Sequence, residues 1–287
     1  MRGRRPQSGF TLIELVITLV ISAIVVSFVS MFISGPVRGF TEQSRRARLV
    51  DAADSALQRM GRDVRRALPN SVRTTASGGI VALEMLSTVD GGRYRAQPPG
   101  TAAQILDFAA VDGSFDVLGP FTQLAKPWSS TTHYLAVYNV GVPGADAYEL
   151  ANVITPAGTT IAIDVDGGTG EDRVTVTPAF RFAYPSPTQR VFLLDGPITY
   201  LCDTIAGTLL RYSGYTIDAS QANRDSAAEL IGAGATQSLM ANQIASCAFT
   251  YTAGTSERAG LVTLQITVSS QGEQVSLLQQ IHVDNVP

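Results

Sequence analysis

One carboxylate stands where its surroundings should exclude it. Glu14 interrupts a run from Phe10 to Ser34 whose other residues are all apolar or small. An ionised carboxylate inside such a segment costs about 2.5 to 3.5 kcal/mol on membrane-insertion scales, so it needs compensation. Its place near the start of the run lets it reach toward headgroups. The alternative is neutralisation by a positive group at the same depth. No cationic side chain lies within the run, and the group that could serve is a new amino terminus, created by a cut just before Phe10.

Other residues with chemistry are sparse. Cys202 and Cys247 are the two cysteines, and both sit in strand-like runs. They read either as two buried thiols or as a disulfide, the second being favoured if this part of the chain lies outside the cytoplasm. With no histidines beside them they do not make a zinc site. Asp164-Val-Asp166-Gly-Gly-Thr-Gly-Glu171-Asp172 resembles a calcium loop, but Gly168 takes the third acidic position, Thr169 displaces the glycine and Thr175 replaces the closing glutamate. A solvated turn is the better reading. His133 and His282 are far apart, and no Gly-x-Ser-x-Gly or phosphate loop is present, so a catalytic centre has no support and neither a cofactor nor a metal is expected.

The elements that carry these residues follow from composition and period. The chain has 287 residues, 45% hydrophobic and 16% charged, with a net charge of −3. Charged residues fall below the roughly 25% of an average globular protein, which argues against a disordered polyelectrolyte and a coiled-coil rod. Lys126 is the only lysine, so an arginine here is weak testimony to function. Residues 37–73 carry nine arginines against Glu42, Asp51, Asp54 and Asp63, while residues 74–287 are strongly acidic. A basic stem on an acidic head suits packing against like copies or partners by charge, and equally suits ordinary solvated faces. The acidic total argues against a general nucleic-acid binder.

At about 1.5 Å per residue, the run from Phe10 to Ser34 is long enough to cross a bilayer core of about 30 Å. No small-residue cleavage site follows Ile33, so the segment is expected to stay on the chain. A kink or melted stretch is expected at Gly35-Pro36, because Pro36 lacks an amide donor. From Val37 to Leu68 the pattern is helical: Val50, Ala53, Leu57, Met60, Val64 and Ala67 form a stripe that Pro69-Asn70 ends. Arg59, Arg62, Arg65 and Arg66 surround it without interleaved aromatics, so they read as the outer face of a helix packed on a sheet rather than as a nucleic-acid patch.

Beyond Ser71 the chain reads as strands. Candidate runs are 80–86, 105–110, 134–140, 173–176, 190–194, 198–202, 208–212, 247–251, 261–268 and 275–283. Residues 218–241, rich in Ala, Asn, Gln and Ser, read as a long loop or a short helix.

The amino-terminal residues carry a resemblance. Gln7-Ser8-Gly9-Phe10-Thr11-Leu12-Ile13-Glu14-Leu15-Val16 resembles the leader of type IV pilins and type II secretion pseudopilins: a short basic peptide ending in Gly, then Phe-Thr-Leu-Ile-Glu and an apolar helix. The resemblance implies an α+β pilin-like fold, with a long helix, half membrane-embedded and half amphipathic, packed on a β-rich head. It implies a leader at 1–9, a transmembrane and assembly helix at 10–36, an amphipathic helix at 37–69 and a periplasmic or extracellular head at 70–287. A prepilin peptidase would cut between Gly9 and Phe10 and N-methylate Phe10. Glu14 of one subunit would then pair with the Phe10 amine of a neighbour, which sets register more than it adds stability. The implied partners are that peptidase and methyltransferase, other pilin subunits and the inner membrane, with no nucleic acid.

Further residues narrow the resemblance. Arg190-Val-Phe-Leu-Leu-Asp-Gly-Pro-Ile-Thr-Tyr200-Leu-Cys202, Thr208-Leu-Leu-Arg-Tyr-Ser-Gly-Tyr215, Cys247-Ala-Phe-Thr-Tyr251 and the ending Gln280-Ile-His-Val-Asp-Asn-Val-Pro287 are similar to minor pilins of the mannose-sensitive haemagglutinin (MSHA) pilus system. Residues 88–188 match nothing in that pattern. Minor pseudopilin J of type II secretion shares the stem. Outside this superfamily, the alternative is a single-pass envelope protein whose helix is an anchor for a β-rich binding head.

Overall fold

The computed structural model describes residues 9–98, 100–255, 258–284 and 286–287, the side chain of residue 34 excepted. The chain divides into two compact units, Met1–Arg48 and Leu49–Pro287. Helix α1, Leu12–Arg65, contributes to both.

In the first unit the described side chains from Phe10 to Gln43 are exposed, among them Ile13, Phe28, Met31 and Phe32. A helix that is apolar all round and exposed is built for a non-aqueous or proteinaceous surround. This one is long and apolar enough to cross a membrane. The helix stays continuous through Gly35 and Pro36, so the melted stretch expected there is not found. A proline deletes one bond of the ladder, and the turns on either side hold.

From Leu49 the same helix turns amphipathic. Ala53, Leu57, Met60, Val64 and Ala67 are buried as the stripe requires, joined by Leu49 and Ala56, with Val50 at the margin. Its end tightens through Asp63 and Val64 carbonyls accepting from Arg66 and Ala67 amides at 3.0 and 3.2 Å. Pro69 then bars continuation.

Among the described residues the head shows three antiparallel sheets, with strands numbered in chain order. The largest has the order β1 (Arg73–Ser77), β2 (Ile80–Arg93), β8 (Arg190–Asp203), β9 (Thr208–Ser213), β10 (Thr236–Asn242), with β5 (Tyr134–Ala136) also on β8. A second runs β3 (Asp112–Val117), β7 (Asp172–Phe180), β6 (Thr160–Val165), β4 (Trp128–Ser130). The third runs β11 (Ile244–Thr252), β12 (Gly260–Ser270), β13 (Glu273–Val283). The helical stripe packs with Leu83 and Met85 of β2, Tyr200 of β8, Phe249 of β11 and the inward row Val262, Leu264, Ile266, Val268 of β12. A separate core around Phe115, Ile161, Ile163, Val174 and Phe182 fills the middle of the chain.

Several expectations change. Residues 105–110 form no strand: Leu106 plugs the second core from a loop, its amide donating to the Arg95 carbonyl. Tyr134–Ala136 is shorter than the run to Val140. The runs at 190–194 and 198–202 are one strand, β8, in which Asp195 is an extra residue opposite Ser87 and Thr88 of β2. Residues 218–241 resolve into a short 3-10 turn, the helix α2 (Ala227–Gly232) and most of β10.

Candidate functional site

The amino-terminal segment is assembled by local chemistry. Gly9, Phe10 and Thr11 precede the helix and are exposed, so the Gly9–Phe10 peptide bond lies in irregular, accessible backbone. The remainder of the expected leader, residues 1–8, lies outside the described residues. A Cβ added at Gly9 would meet nothing within 4 Å, so the fold itself does not demand glycine there.

Thr11 caps α1. Its hydroxyl oxygen accepts from the Glu14 amide at 3.3 Å, and its O–H points to Glu14 Oε2 at 3.4 Å. Thr-x-x-Glu is thus half of a capping box, a helix-start signal that the sequence carries independently of its charge pattern. The cap puts Glu14 in the first helical turn, one turn beyond Phe10, where the positive end of the helix dipole favours a carboxylate. Among the described residues Glu14 meets no cationic group.

Cys202 of β8 and Cys247 of β11 form a disulfide with Cα atoms 6.5 Å apart, which ties the largest sheet to the third. The acidic loop is the turn between β6 and β7, and its carboxylates are already engaged. Asp166 pairs with Arg173 at 2.6 Å and accepts from the Gly168 amide and Gln104. The Gly168 bond, chiefly, holds its carboxyl below the usual range. Glu171 pairs with Arg95, and Asp172 with Lys126 at 2.5 Å. Among the described residues no group of three or more His, Cys, Asp or Glu is placed to hold a metal ion.

His133 bonds Ser130 Oγ at 2.7 Å and meets the Trp128 ring edge-on at 5.0 Å. Burial lowers its pKa, against the opposing pull of Asp195. Ser130 also accepts from the Thr132 amide, so its hydroxyl closes a turn. His282 lies exposed on β13, away from that turn in the fold's topology.

Sequence reasoning missed the polar groups that fix the helix to the head. Asp63 on α1 accepts from the Tyr200 hydroxyl at 2.7 Å and pairs with Arg211 of β9 at 2.8 Å. Nothing in local spacing announces a contact between groups so distant in the chain.

These observations define a class: a protein with an exposed, membrane-length apolar helix that becomes the core helix of a disulfide-linked β-rich head. Residues 4–30 match the prokaryotic N-terminal methylation motif. The match supports a type IV pilin-like protein, a pilin or pseudopilin processed by prepilin peptidase and assembled with other pilins. No curated protein and no solved structure matches the chain.

Proposed function

We propose that the chain is a minor pilin of an MSHA-type pilus, cut between Gly9 and Phe10, N-methylated on Phe10 and held in the filament through α1. The observation that carries the reading is the change of character along one helix. The described side chains from Phe10 to Gln43 are exposed, while the stripe from Leu49 is buried in the core of the head. The uncovered half fits lipid before assembly and neighbouring helices after it. Glu14 then finds its missing cation in the Phe10 amine of an adjacent subunit. The disulfide supports a head outside the cytoplasm, in the periplasm before assembly.

The carboxy-terminal residues similar to MSHA minor pilin O support the choice of filament. The size of the head supports a minor role, priming assembly or capping the tip, since a large domain is hard to fit at every filament position. The chain is a structural subunit rather than an enzyme in this reading. Mass spectrometry of the protein isolated from its native host tests it: a mature chain beginning at N-methylated Phe10 is expected. A chain retaining Met1 or Arg2 overturns the reading in favour of an anchored envelope protein.

A further inference from the structure

Among the described residues, the sheet edges of the head are guarded, with one exception. Among the edge strands, β1 is covered by the 3-10 turn whose Gln221 donates to the Arg73 carbonyl. β10 is bulged between Leu239 and Ala241, the register of β3 with β7 breaks between Asp112 and Ser114, and β4 has three residues. β11 is bulged at Ile244/Ser246 and cross-linked to β8. Bulges, brevity and covers are how proteins stop an open edge from pairing with other chains.

β13 has none of these. It runs for eleven residues in unbroken register with β12, from Ser270 opposite Glu273 to Gly260 opposite Val283. From Gln274 to Val283 no backbone hydrogen bond leaves its other edge among the described residues. Between Glu273 and Asp284 it contains no proline and no acidic or basic residue other than His282. Val275, Ile281 and Val283 are buried, whereas Gln274, Ser276, Leu278, Gln280 and His282 are exposed.

The helix beside it is basic. A Cβ at Gly61 would meet Gln279 Nε2 at 3.1 Å, so this turn of α1 lies against β13. Arg65 is one turn further along the same flank, and Arg62 adjoins it. Both are exposed, and neither pairs with a carboxylate among the described residues. Asp54, on the same flank two turns earlier, accepts from Gln58 at 2.7 Å.

We propose that β13 is a strand-addition site, whose free edge takes an extended segment of a different pilin-like subunit carrying carboxylates that meet Arg62 and Arg65. Backbone donors and acceptors along β13 supply affinity, and the arginines select an acidic segment. A second copy of this chain does not fit, because its other sheet edges are closed and β13 itself carries no carboxylate between its ends. The inference rests on the reading of the chain as an assembled subunit.

The test uses the full processed chain in its native host, with a photo-crosslinking residue at Gln280. The expected product is an adduct with a carboxylate-bearing segment of a different pilin-like subunit, falling about tenfold in Arg62→Glu/Arg65→Glu. Lysine substitutions of the crosslinked carboxylates should restore it. Prolines at Ser276 and Leu277 probe alternate amides. The one that leaves the melting temperature unchanged removes an outward N–H and should abolish the adduct. Incorporated chains that give no adduct, an adduct with lipid or with a second copy, or an adduct indifferent to the charge reversals would each overturn the proposal while leaving the pilin reading intact. A chain that is never processed or incorporated would overturn both.

Discussion

Glu84 shows how the head holds a charge that no sequence pattern discloses. It is fully buried on β2, bonded to Arg73 Nε at 2.8 Å and to the Tyr215 hydroxyl at 3.2 Å, which in turn meets Thr199 at 2.6 Å. Arg73 also donates to the Asp218 and Ala219 carbonyls and lies 3.5 Å over the Tyr148 ring. Burial raises the Glu84 pKa from its ordinary 4.5, and the Arg73 charge opposes the rise without cancelling it. The folded state therefore binds this proton more tightly than the unfolded chain does. Its contribution to stability is complete below about pH 4.5 and is lost as pH climbs through the raised value. Glu84→Gln should flatten that part of the stability–pH curve, measured by denaturant unfolding at a series of pH values; an unchanged slope would count against the assignment. Glu84→Ala leaves Arg73 its two carbonyl acceptors and the Tyr148 ring but removes the carboxylate, and should cost about 1.5 to 3 kcal/mol.

Elements were legible where they repeat a period and illegible where they depend on distant partners. The stripe from Val50 to Ala67 and the alternation in β12 announce their buried faces, because one side of each must leave water. Residues 105–110 look like a strand for the same reason, since Leu106 is buried, but the chain there meets its neighbours side chain first. β10 hides in a polar stretch, and only pairing with β9 makes it a strand. Glu14 was found from its cost, whereas Thr11, Asp63 and the Glu84 network were not, since hydrogen bonds leave no periodicity. The disulfide joins elements that the chain separates by 45 residues. In the chain-entropy model that loop is worth about 4 kcal/mol. Replacing Cys202 and Cys247 together by alanine should lower the melting temperature by about 8 to 16 °C, at roughly 2 to 4 °C per kcal/mol for a domain of this size. A shift of a degree or two, read by calorimetry, would place the restraint elsewhere.

At the scale of the molecule, two environments place opposite demands on one residue. In a bilayer Glu14 is a burden of about 2.5 to 3.5 kcal/mol on insertion scales, since no basic side chain within the apolar run relieves it. The half-box with Thr11 and the helix dipole recover part of that cost, but each acts equally on an isolated chain and gives no reason for the carboxylate to be there. A reason appears only if a second molecule brings a cation to the same depth. Membrane insertion and filament incorporation should therefore respond in opposite directions to Glu14→Ala. Insertion, measured as the fraction of chains integrated, should hold or improve. Incorporation, measured as the ratio of filament-bound to membrane-bound chain, should fall about tenfold or more, the factor expected for losing about 1.4 kcal/mol at a paired contact. Glu14→Gln should behave like Glu14→Ala if charge is what matters, and like the parent if hydrogen bonding is enough. A variant that inserts better and incorporates as before would mean that α1 meets its neighbours through apolar packing alone, and that Glu14 serves the isolated helix through its cap.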